Sequence, residues 1–404
     1  MMDPLRVGVR GPLEVFAPGF AAELGRVGYR RVPVVFQLQL MAHASRWLES
    51  EGVGVGALTT DVVERFLASR RAAGYTNYVT PRAVAPLLGY LRVLGVAPSA
   101  SPVIAVGAVE VLLAGYRKYL LVERGLTVDS IEGYVLAVRP FLGERERDGD
   151  ELDLGGLGAA DVVAFVVARC PLQSRGAAKM TVTGLRSLLG YLHLRGLIAG
   201  PLADAVPSSA SWRLSGLPRA LEPEQLEALL GSCDCGTATG RRDYAVLVML
   251  ARLGMRAGEV AALSLDDIDW HAGELVIVGK GRRSERLPLP TDVGEAIVDY
   301  LRAGRPATAQ DRCLFVRVRA PHHGLTAGGV TQVVVSAARR GGLGQIHAHR
   351  LRHTAATGML RAGASLEEIG QVLRHRRVLT TAIYAKVDRD ALRQLARPWP
   401  GARS

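Results

Sequence analysis

The chain has 404 residues, 49% hydrophobic and 22% charged, a composition of globular domains that excludes a disordered chain. That length exceeds one ordinary core and implies two or three domains. A net charge of +12 favours a polyanionic partner, and no run of 18 uninterrupted apolar residues is present to span a membrane.

The N-terminus, MMDPLRVGVRGPLEVF, has neither the basic start nor the apolar run of a secretion signal, so a cytoplasmic location is expected. Helical periodicity begins in VVFQLQLMAHASRWLESEG, and this first block closes with LLGYLRVLGV, Leu87 to Val96. Its Arg30-Arg31 and Arg70-Arg71 pairs suit phosphate contacts and a solvated helix face equally. After a junction near SPVIAVGAVE, a second helical block contains DSIEGYVLAVRPFLGE and ends in LLGYLHLRGL, Leu188 to Leu197. The matching ends read as an internal duplication, with chance similarity of Leu-rich helices as the alternative.

Residues 205 to 226 are rich in Pro, Ser and Gly and mark a boundary, giving domains at 1–100, 101–208 and 209–404. Pro223 stands where a helix can begin, with Glu222 and Glu224 near its positive end. The last domain then offers helices at LEALLGSCD, DYAVLVMLARLG, GVTQVVVSAARRGG and SLEEIGQVLRH. Between the second and third, ELVIVGKGRRSERLPLP at 274 to 290 predicts a β-hairpin around a Gly/Arg/Ser turn. Four cysteines (Cys170, Cys233, Cys235, Cys313) are too few and scattered for a disulfide framework, and Cys233-Asp234-Cys235 lacks the further ligands zinc requires.

Four stretches of this last domain carry polar residues that packing does not require. Arg256 follows Gly254 and Met255 at a helix junction, and Lys280 sits in the hairpin turn without the spacing of a phosphate loop. His349 and Arg352 are three apart in HAHRLRHTAATGML and share a helical face, and His375 precedes Tyr384 by nine residues. Lysine is scarce: of 50 basic residues only Lys118, Lys179, Lys280 and Lys386 are lysines.

Together these stretches resemble one family. LGMRAGEVAAL is similar to the first arginine box of the tyrosine recombinases, the lambda-integrase-like and Xer-like enzymes, and HAHRLRHTAATGMLRAGASLEEIGQVLRHRRVLTTAIYAKV is similar to their second box. The resemblance covers roughly residues 217 to 390. It implies a mainly α protein: a helical core-binding (SAM-like) region, here duplicated, followed by a mixed α+β catalytic domain with a small hairpin sheet. It also implies site-specific cleavage and rejoining of DNA, with Tyr384 forming a 3′-phosphotyrosyl bond and releasing a 5′-hydroxyl. Arg256 and Arg352 would hold the non-bridging phosphate oxygens, Lys280 would protonate the leaving oxygen, His349 would assist proton transfer and His375 would hydrogen-bond the phosphate.

Physical chemistry agrees with such a set. Charge gathering on phosphate oxygens suits rigid guanidinium forks, and a phenol needs cationic neighbours or a base to attack. Lysine can yield a proton where arginine cannot, which accounts for Lys280 in an arginine-rich chain. No cofactor or metal is expected. The partners implied are double-stranded DNA and a homo-tetramer on two duplexes, with related recombinases as further subunits and no membrane. Movement of a mobile element is favoured. A type IB topoisomerase-like or hairpin telomere-forming activity, or a relative that binds DNA without cleaving it, are the alternatives.

Several neighbours read as structural. His353 and Thr354 are expected to hold their helix through local hydrogen bonds, His347 to be a loop residue, and Ser365 with Glu368 to cap a helix. Glu259 is placed as a support for Arg256. Two departures from the family pattern stand out: Leu-Arg before His375 where Leu-Gly is usual, and Ala355 where phenylalanine is common. The tail after Tyr384 carries Val387, Leu392 and Leu395 at near-helical spacing, suited to docking on a neighbour or on its own domain.

Overall fold

The computed structural model describes residues 7–99, 107–147, 151–208, 220–278 and 284–374, together with Thr381 and Tyr384. The first block folds into α1 (Ala17–Arg26), α2 (Arg31–Ser50), α3 (Thr60–Ala72) and α4 (Pro81–Val93). Thr59 starts α3 by accepting a hydrogen bond from the Val62 amide, and proline opens α4, where a missing N–H costs nothing. Their apolar stripes meet in a core built around Phe20, Met41, Phe66 and Leu91.

The second block contains α5 (Ala108–Lys118), prolonged by a π-helical turn at Tyr119–Glu123, and α6 (Val128–Gly143). A two-residue hairpin, β1 (Glu146–Arg147) with β2 (Glu151–Leu152), leads into α7 (Ala159–Arg169) and α8 (Arg175–Leu194). Those strands are too short for the alternation that would announce them in sequence. Tyr116, Val138, Phe141, Phe165 and Leu188 belong to this block's own core. The chain divides into two compact units, Met1–Ala100 with Leu214–Ser404, and Ser101–Arg213.

The last segment contains α9 (Pro223–Gly231), α10 (Ala238–Leu253), α11 (Ala257–Ala262), β3 (Ile268–Asp269), β4 (Glu274–Val278), β5 (Ser284–Pro288), α12 (Thr291–Ala303), α13 (Ala327–Arg340), α14 (Ala348–Arg361) and α15 (Leu366–Val372). Pro223 is at the start of α9 as expected, although the helix stops at Gly231 rather than running to Asp234. Every residue from Ala245 to Ala251 is buried, so this stretch of α10 is apolar all round and lies within the core. Around it α12 buries Val293, Ala296, Ile297 and Tyr300, and α13 buries Val330, Val333, Val334 and Ala337, each at three- and four-residue spacing.

The expected hairpin is β4 paired antiparallel with β5, Val278 facing Ser284, with Leu275, Ile277 and Leu287 turned into the core. A third strand, β3, adds to its edge through Ile268 and Asp269 and was not legible in two residues. All four cysteines carry free thiols. Among the described residues no helix is long and apolar enough to cross a membrane.

Candidate active site

The site begins where α10 ends. Gly254 takes a left-handed conformation (φ +58°), which stops α10 and turns the chain so that Arg256 becomes the N-cap of α11. Glu259, one turn into α11, reaches back: its Oε2 accepts from the Arg256 amide at 2.8 Å and its Oε1 from the Arg256 guanidinium at 2.6 Å. The expected support of Arg256 by Glu259 is therefore a direct capping contact. Burial opposes ionisation of Glu259. The Arg256 amide and the guanidiniums of Arg374 and Arg256 outweigh it and hold the carboxyl below its ordinary value.

α14 supplies the opposite wall. His349, Arg352 and His353 occupy one face, with the His349 and His353 rings 4.5 Å apart. Arg352 is 2% exposed, and its guanidinium donates to the carbonyls of Gly254 at 2.5 Å and of Leu373. Two of its five donors are thus fixed by backbone, which sets the plane of the fork. Burial first, then repulsion from Arg256, lowers its pKa to about 10, so it stays charged at neutral pH. Desolvation, then Arg352 and Arg256, lowers the pKa of His349.

α15 closes the site from below. Ser365 and Glu368 form the expected capping box. Ile369 and Leu373 then join Ala356 of α14 in a small apolar cluster that receives the ring of Tyr384, 2% exposed. The Tyr384 hydroxyl lies 2.9 Å from Nδ1 of His353. Burial, with smaller contributions from His349 and Arg352, pushes the imidazole down to about 4. Desolvation raises the phenol above its ordinary value despite Arg352. At neutral pH the phenol is therefore protonated and shares a hydrogen bond with a neutral imidazole, whose tautomer sets which of the two donates.

This corrects the local reading of His353: its partner is thirty-one residues away on Tyr384. The signal was present, because 349, 352, 353 and 356 are one helical face. Thr354 does bond locally, to the Arg350 carbonyl at 3.0 Å, while also accepting from the Leu221 amide. His347 stands at the N-cap of α14 without a side-chain capping bond. Of the six residues singled out in sequence, Arg256, His349, Arg352 and Tyr384 come to one place. Lys280 and His375 lie outside the described residues. Arg374 was missed altogether: its side chain is 4% exposed and pairs with Glu259 at 2.7 Å.

The site thus gathers a phenol, two histidines and three guanidiniums, two of which pair with one buried carboxylate. The model of the phage integrase family matches residues 219–390. The y4rA protein of Sinorhizobium fredii, whose name calls it an integrase/recombinase, is 42% identical over 97% of this chain and 95% of its own length. The chain belongs to the phage integrase family. Site-specific recombination by tyrosine-mediated cleavage and religation is accordingly its reaction. XerD tyrosine recombinases of Listeria monocytogenes and Mycobacterium tuberculosis are 30% and 32% identical, over 70% and 72% of this chain and 96% of their own lengths.

Solved structures share the fold. XerH in a post-cleavage complex with palindromic difH has a TM-score of 0.57 at 18% identity, covering 82% of this chain and 93% of that one. A lambda integrase (75-356) dimer on a COC′ core site has a TM-score of 0.53 at 16% identity, covering 72% and 98%. The mainly helical domain with a small hairpin sheet, expected from sequence, is that fold.

Proposed function

We propose that Tyr384 is the nucleophile of this recombinase and that double-stranded DNA is cleaved through a 3′-phosphotyrosyl link. In that reaction the phenol passes its proton towards His349 as its oxygen bonds to phosphorus, the bond to the 5′ oxygen breaks, and the leaving oxygen takes a proton from Lys280. Arg256 and Arg352 hold the non-bridging oxygens, His349 assists proton transfer and His375 donates to the phosphate. The observation that carries this reading is the Tyr384 hydroxyl bonded to His353, one residue from the buried cation of Arg352 and across from Arg256. Enough protein cations surround the site to stabilise the phosphorane-like charge by themselves.

The N-terminal regions, 1–100 and 101–208, are proposed as two copies of one DNA-gripping helical fold ahead of a catalytic domain at 209–404. Tyr90, in the first LLGYL, packs in a tilted arrangement against Phe20 of α1 with ring centroids 5.5 Å apart, and Tyr191, in the second, packs likewise against Tyr116 of α5 at 5.4 Å. In each block the residue before that aromatic is a glycine, Gly19 or Gly115. A Cβ there would meet the tyrosine hydroxyl at 2.1 or 2.6 Å. The third helices match as well, burying Val63, Phe66 and Leu67 in α3 and Val162, Phe165 and Val166 in α7. Such repeated packing favours duplication over chance. The working assembly is a homo-tetramer on two duplexes, open to related recombinases, with the C-terminal tail linking subunits. Its cytoplasmic task is movement of a mobile element.

A direct test needs no known target. The full chain is incubated with duplexes nicked at one position and randomised around the nick, and DNA that stays attached after denaturation is recovered and sequenced. A Tyr384-dependent adduct with one enriched sequence is expected. No adduct, or one that survives Tyr384→Phe, refutes the reading.

A further inference from the structure

Arg374 has two features that rarely coincide. Its backbone is left-handed, φ +55°, a conformation natural to glycine and strained for any side chain with a Cβ. Its guanidinium is nevertheless buried, donating to Glu259 Oε2 at 2.7 Å and to the Val372 carbonyl at 3.1 Å. A long cation in a strained place, taken out of water, is selected by what its charged end does.

That end meets Glu259, the same carboxylate that caps and grips Arg256. The residue before it, Leu373, gives its carbonyl to the Arg352 guanidinium. Two successive residues therefore fasten both phosphate-binding arginines, one by backbone and one through a shared carboxylate. The same dipeptide follows α15, and its Leu373 seats the Tyr384 ring together with Ile369 of that helix.

We propose that Arg374 is a positioning residue for strand cleavage: through Glu259 it sets the attitude of Arg256, and it locks the chain after α15 to both arginines. This rests on the assignment of Arg256 and Arg352 to the scissile phosphate. The Leu-Arg in place of the usual Leu-Gly before His375 is then a gain of connection rather than a packing defect. With Arg374 removed, Glu259 loses a cation that favours its ionised form and turns wholly to Arg256, drawing that guanidinium away from the phosphate.

The probe is the nicked duplex enriched in the selection above, used with the full chain. Arg374→Gly suits the left-handed backbone and is expected to fold, while Arg374→Lys keeps the charge without the fork. At saturating DNA, adduct formation by Arg374→Gly should slow at least about ten-fold, with the half-saturating concentration changed less than about two-fold. Its acid limb should move to higher pH, and free guanidinium below denaturing levels should restore part of the rate. Arg374→Lys should fall between glycine and the parent. Parental rates with an unmoved acid limb would overturn the proposal. So would a loss confined to DNA affinity, or failure of both variants to give a cooperative melt, either of which leaves only a stabilising ion pair. Failure of the underlying assignment is seen separately, as an Arg352→Ala protein that forms adduct at the parental rate.

Discussion

Gly254→Ala tests the geometry of the site through a single methyl group. The left-handed backbone costs a non-glycine residue about 1–2 kcal/mol. The new Cβ would also lie 2.4 Å from Cδ2 of Leu373 and 3.3 Å from Cβ of Ala355. Leu373 is wholly buried between Ile369 and Tyr384, so its methyl group has no open space to enter, and overpacking of this kind adds roughly 1–3 kcal/mol. A loss of about 2–5 kcal/mol is expected in all. Gly342→Ala supplies the control: φ is +68° there, and a Cβ would meet nothing within 4 Å, leaving the backbone cost alone. Urea unfolding followed by circular dichroism should separate the two variants by about 1–3 kcal/mol, with Gly254→Ala the weaker protein. Equal midpoint shifts would refute the close approach of α10 and α15 on which the placement of Arg352 depends.

Three further outcomes follow from the same contacts. Tyr384→Phe keeps the buried ring and loses the hydrogen bond to His353, so stability should fall by about 1.5 kcal/mol while covalent capture of DNA disappears. His353 is held neutral in the fold, with a pKa of about 4 against an ordinary value near 6.5. The unfolded chain therefore binds more protons between those values, and stability must drop as pH falls through that window. At pH ~5 the drop amounts to roughly 1–2 kcal/mol after allowance for the ring's partial exposure, and His353→Asn should abolish it in a melting series. Glu259→Gln removes the anion between Arg256 and Arg374 and should cost about 2–4 kcal/mol at neutral pH. Because the Glu259 pKa is depressed, its contribution is complete above the ordinary carboxylate value and is lost as pH falls through the folded one. The variant's stability should lack that acid-side loss.

The helices were legible because burial imposes a period on them: α12 and α13 repeat apolar residues as a single packed face must. β3 and the β1/β2 pair were not, since two residues cannot show a period of two. The arginines and Tyr384 were readable as residue types whose chemistry suits a phosphate at recognisable spacing. The role of His353 was lost by treating each residue of the α14 face by itself, although its four-residue step from His349 already aligned the rings. Arg374 was out of reach for a different reason. Its left-handed backbone and its partner on α11 are tertiary facts, and sequence offered only an unusual Leu-Arg.

The two carbonyls that hold Arg352 are each the cap of a helix, Gly254 at the end of α10 and Leu373 at the end of α15. A helix end carries about half a negative charge from its aligned peptide dipoles. Two such ends converging on one guanidinium offset much of the cost of burying it without a carboxylate of its own. Dipoles do not titrate and do not leave, and they do not quench a cation as an ion-pair partner would. Arg352 can thus be sunk in the protein and still keep its charge wherever the pH lies below its pKa of about 10.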